Sequence, residues 1–190
     1  MSKSNSGKRY HGLLQKPIVL VGLMGAGKTS IGRKLAEQMQ ITFVDADHEI
    51  EKAAGCTITE FFEKFGEKEF RRGEKRVIER LLKSWPCILA TGGGAFMDPE
   101  TRAIIKNKAV SILLNADLDT LDDRLARRSG RTLLQTKNPR ATLQSLMEKR
   151  YPIYAEADMT VDTVNGSIDV TVDKVCDSIT DYFSLTYERK

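Results

Sequence analysis

Eight consecutive residues, Gly22-Leu-Met-Gly-Ala-Gly27-Lys28-Thr29, constrain this chain more than any other feature. They match G-x-x-x-x-G-K-[ST] in full, and they lie between a short apolar run, Ile18–Val21, and a stretch with helical periodicity, Lys28–Met39. Glycines at these positions let the backbone curl until successive N–H groups point inward at phosphate oxygens. The helix that follows adds the positive end of its dipole. The pattern assigns Gly25, Ala26, Gly27, Lys28, Thr29 and Ser30 to a nucleoside triphosphate, with Lys28 reaching the β- and γ-phosphates and the Thr29 hydroxyl ligating Mg²⁺. A purely structural glycine turn is the alternative. A dinucleotide loop fits less well, because Gly25-Ala-Gly27 is followed by Lys-Thr-Ser rather than x-x-Gly.

Downstream, short runs rich in Val, Ile and Leu alternate with longer helical patterns. Ile18–Val21, Thr42–Val44, Cys87–Ala90, Ala109–Leu114 and Met159–Val161 read as strands, mostly without polar alternation, as expected of parallel strands covered on both faces. Helices are expected near Lys28–Met39, Gly66–Lys83, Pro99–Lys106, Leu118–Arg127, Pro139–Tyr151 and Ser167–Phe183. Strand–helix alternation throughout implies an α/β fold with a parallel sheet.

At 190 residues the chain is one domain, large enough to bury a core without staples. Residues 1–16 are polar, with four basic and no acidic side chains, and read as a disordered tail; the lack of an apolar stretch excludes a secretory signal, and a short targeting remnant is the other reading. The longest near-apolar run is about half of the ~20 residues a membrane span needs. The net charge of +4 is spread out, and no basic patch or nucleic-acid-binding module is present, so neither a membrane nor a nucleic acid is expected as partner. Three widely spaced cysteines and two histidines make neither a disulfide framework nor a zinc cage, which suits a cytoplasmic location.

Two further features sit at strand ends. Asp45 and Asp47, in Phe43-Val-Asp-Ala-Asp47, face the crevice where such sheets bind ligands, and they point the same way if the strand continues that far. One carboxylate can then support Mg²⁺ and the other can orient a hydroxyl for phosphorylation. Otherwise Asp47 caps a following helix. Gly92-Gly93-Gly94, after Cys87–Ala90, is costly in backbone entropy and makes sense where a ligand touches the main chain, though a plain loop also explains it.

These residues together resemble shikimate kinase over nearly the whole chain, from about Ile18 to Phe183. The matching features are the phosphate loop, Phe43-x-Asp45-x-Asp47, Phe70-Arg71-x-x-Glu74, Gly92–Gly94, Gly130-Arg131, Arg150-x-x-x-Tyr154 and Val161-Asp162-Thr163. The resemblance implies a three-layer α/β/α domain of nucleoside-monophosphate-kinase type around a five-stranded parallel sheet. It also implies a substrate-binding region near residues 46–83, a lid near 128–138 and a monomer. The activity implied is transfer of the γ-phosphoryl group of ATP to the 3-hydroxyl of shikimate, with Mg²⁺, on the route to chorismate. By the same resemblance Thr29 and Asp45 serve the metal, Asp47 binds the shikimate hydroxyls and is the candidate base, and Lys28 is catalytic. Arg71, Arg150 and Gly92, Gly93 and Gly94 form the substrate pocket, and Arg131, on the lid, is catalytic: it reaches the ATP phosphates and stabilises the charge that develops during transfer.

Composition alone does not single out these arginines: Arg71 lies in a highly charged stretch, Arg131 follows Arg127 and Arg128, and Arg150 adjoins Lys149. The lid reads Gly130-Arg131-Thr132, where the family typically has Pro after the arginine. The alternatives are another small-molecule kinase of this group, acting on gluconate or a nucleoside monophosphate, and a non-catalytic ATP-binding regulator.

Overall fold

A computed structural model describes residues 14–84, 86–127 and 138–187. The expected lid near 128–138, with Arg131, and nearly all of the expected tail lie outside them. Leu14 is nonetheless buried in the core, so the body of the domain begins a little before Pro17.

Five strands form one sheet: β1 (Ile18–Val21), β2 (Thr42–Asp45), β3 (Cys87–Ala90), β4 (Val110–Asn115) and β5 (Met159–Asp162). Their order is β2-β3-β1-β4-β5, and every pairing is parallel. The apolar runs β1 and β3 are buried at every position, as strands covered on both faces must be. The helices are α1 (Lys28–Met39), α2 (Ala46–Ala54), α3 (Ile58–Leu81), α4 (Pro99–Lys108), α5 (Leu118–Ala126), α6 (Pro139–Tyr154) and α7 (Ile168–Tyr187), with a 3₁₀ turn at Ala95–Met97. Chain order reverses at β1: the chain crosses by α1 to outer β2, returns by α2 and α3 to β3, then passes by α4 to β4 on the opposite side. The carboxyl ends of β1 and β3 therefore open on one crevice, the usual ligand site of such sheets.

Local chemistry explains the element boundaries, including three that differ from expectation. Asp45, not Asp47, caps the helix after β2: its side chain accepts the Asp47 N–H. The strand ends there, so the two acids do not share a strand face; Asp47 stands in the first turn of α2. Helix α3 begins eight residues earlier than its periodicity suggests, because Thr57 and Glu60 form a capping box, and it kinks at Gly66, where φ is 76°. Helix α6 runs through Pro152, a position where a helix ordinarily ends. Two tyrosine hydroxyls hold its last turn, that of half-buried Tyr151 on the Ala116 carbonyl and that of buried Tyr154 on the Gly93 carbonyl. Helix α1 lies tight on the sheet, since a Cβ at Gly32 would fall 3.0 Å from Leu20 and closer still to the Phe43 ring. No helix among the described residues is long and apolar enough to cross a membrane.

Candidate active site

The loop after β1 is shaped by glycine. Gly22, Gly25 and Gly27 have φ of 138°, 84° and 99°, in the region that disfavours any side chain. At Gly22 a Cβ would also lie 2.8 Å from the Leu114 carbonyl of β4. Gly27 caps α1 without a side-chain hydrogen bond, and the first turn carries no acid, so the positive end of the helix faces the loop unneutralised. Lys28 folds back over that loop and donates from Nζ to the Gly22 carbonyl at 2.7 Å and the Leu23 carbonyl at 2.9 Å. Gly25, Gly27, Lys28, Thr29 and Ser30 line the crevice. Ala26 is fully buried beneath it.

The Thr29 hydroxyl donates to Asp45 Oδ2 at 2.9 Å, which brings two oxygen donors together beside the phosphate loop. Hard oxygen donors in that number fit Mg²⁺ shared with substrate phosphates, not an all-protein cage. No cluster of three His, Cys, Asp or Glu side chains exists among the described residues to favour another arrangement.

Asp47 projects from the first turn of α2 toward β3. A Cβ on Gly92 would fall 2.5 Å from Asp47 Oδ1 and 3.4 Å from Glu74 Oε1, so glycine there leaves room for two carboxylates. Burial, then the neighbouring Asp45, push the Asp47 carboxyl above the usual carboxylate range, while Lys28 and Arg71 pull it down. A carboxylate so tuned is suited to accept a proton from a hydroxyl.

The far side of the crevice is cationic. Arg71, on α3, donates from Nη1 to Glu74 at 2.5 Å and from Nη2 to Glu67 at 3.4 Å, and its guanidinium lies 5.2 Å from the Phe70 ring centre. Glu74 is only 1% exposed; burial raises its pKa more than Arg71 lowers it. A Cβ on Gly94 would sit inside hydrogen-bonding distance of the Arg71 guanidinium. Arg150, on α6, donates to the Gly93 carbonyl at 3.2 Å. One cavity of about 780 Å³ is lined by the phosphate loop, Asp45, Asp47, Arg71, Gly92–Gly94 and Arg150 together. Apart from Arg131, which lies outside the described residues, the sequence-predicted site residues thus converge on one crevice.

The family model described as Shikimate kinase matches residues 24–180. The chain belongs to the shikimate kinase family. Curated shikimate kinases from Paramagnetospirillum magneticum and Bradyrhizobium diazoefficiens are 48% identical over 174 residues and 54% identical over 160 residues. These alignments cover 92% and 84% of this chain, and 89% and 75% of the relatives. The solved shikimate kinase of Acinetobacter baumannii in complex with shikimate superposes with a TM-score of 0.85 at 38% identity, covering 93% of this chain and 98% of that one. A gluconokinase from Sinorhizobium meliloti is 18% identical with a TM-score of 0.66, a likeness of fold alone.

Within this shikimate kinase fold, three contacts were not legible as roles. Glu74 and Tyr154 stand in the motifs, but only their spacing from Arg71 (three residues) and Arg150 (four residues) hints that each shares a helical face with its arginine. Arg124 gave no signal. From α5 it donates to the Gly25 and Ala26 carbonyls at 3.4 and 3.3 Å, to the Thr163 hydroxyl at 3.2 Å and to the Val164 carbonyl at 2.7 Å. It thereby joins the phosphate loop to the segment after β5.

Proposed function

We propose that this crevice transfers the γ-phosphoryl group of ATP to the 3-hydroxyl of shikimate, giving shikimate 3-phosphate, a step toward chorismate and the aromatic amino acids. The supporting observation is the layout of the cavity beside the phosphate loop: that loop at one end, two arginines and a triple-glycine turn at the other, and Asp47 between them. Phosphoryl transfer is mostly positioning and electrostatics, and these groups supply both.

In this reading the N–H groups from Gly25 to Ser30 and the Lys28 ammonium hold the ATP phosphates. Thr29 and Asp45 hold Mg²⁺, which, when bound, neutralises charge on the phosphate oxygens. Arg71 and Arg150 grip the shikimate carboxylate; a planar guanidinium fork suits a carboxylate better than a lysine does. Gly92 leaves room for Asp47 to reach the ring hydroxyls, orient the 3-hydroxyl and take its proton as the new O–P bond forms and the bond from the γ-phosphorus to the bridging oxygen breaks, releasing ADP. Residues 46–83 form the substrate-binding region. The lid, near 128–138, excludes competing water and brings Arg131 to the phosphates. The enzyme works as a cytoplasmic monomer.

The test is ADP release by purified protein given ATP, Mg²⁺ and shikimate, with gluconate and no-acceptor controls. Shikimate-dependent ADP formation is expected. Turnover of gluconate alone, or ATP binding without ADP release, would overturn the reading.

A further inference from the structure

Tyr154 closes α6 one turn after Arg150, and its side chain has no exposed surface. Its hydroxyl donates to the Gly93 carbonyl, the oxygen that also accepts Arg150 Nη1 at 3.2 Å. A carbonyl oxygen has two lone pairs, and here the two donors come from one face of one helix. The Arg150 guanidinium and the phenol thus meet on one oxygen, and burial raises the phenol's pKa while the Arg150 charge lowers it. Gly93 itself is tucked against them: a Cβ there would lie 3.4 Å from Arg150 Nη1, 3.7 Å from the Tyr154 oxygen and 3.8 Å from the Gly22 carbonyl at the start of the phosphate loop.

From this geometry we propose that Tyr154 is a positioning residue for the substrate: its hydroxyl fixes the Gly93 carbonyl on which the Arg150 guanidinium is anchored, and so sets where Arg150 stands in the cavity. The inference rests on the reading of the crevice as a shikimate site.

A phenylalanine would fill the same core space without the cost of burying a hydroxyl. The hydroxyl's bond runs to the glycine turn that lines the cavity and anchors Arg150. The phenol, protonated at neutral pH like any tyrosine and pushed further that way by burial, acts as a donor to Gly93. Helix α6 continues through Pro152 to deliver this side chain. Without the hydroxyl, the Gly93 carbonyl that anchors the half-buried guanidinium is held less firmly, the guanidinium gains freedom, and the substrate carboxylate must then order it.

Tyr154→Phe removes the hydroxyl and keeps the ring. Steady-state kinetics should show the KM for shikimate rising about fivefold to tenfold, the effect of one lost hydrogen bond near a charged group. The KM for ATP should not change, and kcat should stay within about twofold, because the phosphate end of the cavity is untouched. In an Arg150→Ala background the same substitution should add nothing, since the group it positions is gone. Four results would each overturn the proposal: an unchanged shikimate KM, equal rises for both substrates, additive effects in the double variant, or a Tyr154→Phe protein that fails to fold. Wild-type protein without shikimate turnover would overturn the functional reading along with it, whereas an active wild type with an indifferent variant would overturn the role of Tyr154 alone.

Discussion

The Thr29 hydroxyl donates to Asp45 across 2.9 Å, while the other oxygen of that carboxylate accepts the Asp47 N–H at 3.1 Å. One side chain thus joins the phosphate loop to β2 and starts the helix that carries Asp47. The two duties separate by substitution. Asp45→Ala loses both; the missing cap should cost about 1 kcal/mol, or about 2–4 °C in melting temperature for a chain of this size. Asp45→Asn keeps a good cap and should melt near wild type, but with a raised Mg²⁺ requirement, since a neutral amide is a weaker partner for a hard cation. Thermal melts and a Mg²⁺ titration of both variants distinguish these effects, and equal melting temperatures would refute the capping role.

Asp47 illustrates a site residue that destabilises the fold it serves. Its carboxyl titrates above the ordinary value, chiefly through burial and then through Asp45. The folded state therefore favours the protonated form. That stability is fully present below the unfolded pKa and is lost as pH rises through the folded one. Metal-free Asp47→Asn should accordingly melt higher than wild type at pH 7, and the difference should vanish below about pH 4, near the unperturbed aspartate pKa. Its turnover should fall by about 10²–10⁴-fold, the usual contribution of a general base. Calorimetric melts from pH 3 to 8 test the sign. A variant less stable than wild type at pH 7 would contradict it.

How much of this was legible beforehand depended on the range of the signal. The phosphate loop was readable because strand, turn glycines, lysine and helix are contiguous, and each is set by local backbone chemistry. The five strands were readable because burial on both faces leaves continuous apolar runs such as Ile18–Val21. Helix α2 and the first turns of α3 did not stand out: of the residues in α2 only Ala46 and Ile50 are buried, too few for a clear apolar stripe. Arg71 and Arg150 were indistinguishable by composition from solvated charges, because what selects them is contact across the fold, with Gly94 and Gly93. Arg124 reaches its partners over about a hundred positions of sequence at one end and about forty at the other, a separation at which no periodicity speaks.

Gly94 is required by its neighbour rather than by its backbone angle, since its φ is −95°. A Cβ there would collide with the Arg71 guanidinium. Gly94→Ala must therefore move Arg71, which Glu67 and Glu74 hold from behind. The KM for shikimate should rise at least about tenfold, as expected when an ordered charged contact is lost, with the KM for ATP little changed. Gly55→Ala is a control: its Cβ meets nothing within 4 Å, although its φ of 68° adds backbone strain. It should lower the melting temperature without altering the shikimate KM. Equal kinetic effects at both sites would refute the steric account.

Helix α7 carries Asp169, Asp173, Asp177 and Asp181 at four-residue intervals, all exposed on its outer face. Of these, Asp169 pairs with Lys34 of α1. Like charges four apart on a helix repel by about 0.2–0.5 kcal/mol per pair, and opposite charges attract by a similar amount. Asp177→Lys converts two repulsions into two attractions but turns the attraction to Lys174, three residues earlier, into a repulsion, a net gain of about 0.5 kcal/mol, worth about 1–2 °C. No described residue of α7 lines the cavity, so activity should not change. At ~1 M salt, where the screening length falls to about 3 Å, most of the gain should disappear. A gain that survives high salt would trace instead to the better helix propensity of lysine over aspartate, and no gain at low salt would show that the aspartate ladder carries no repulsive cost.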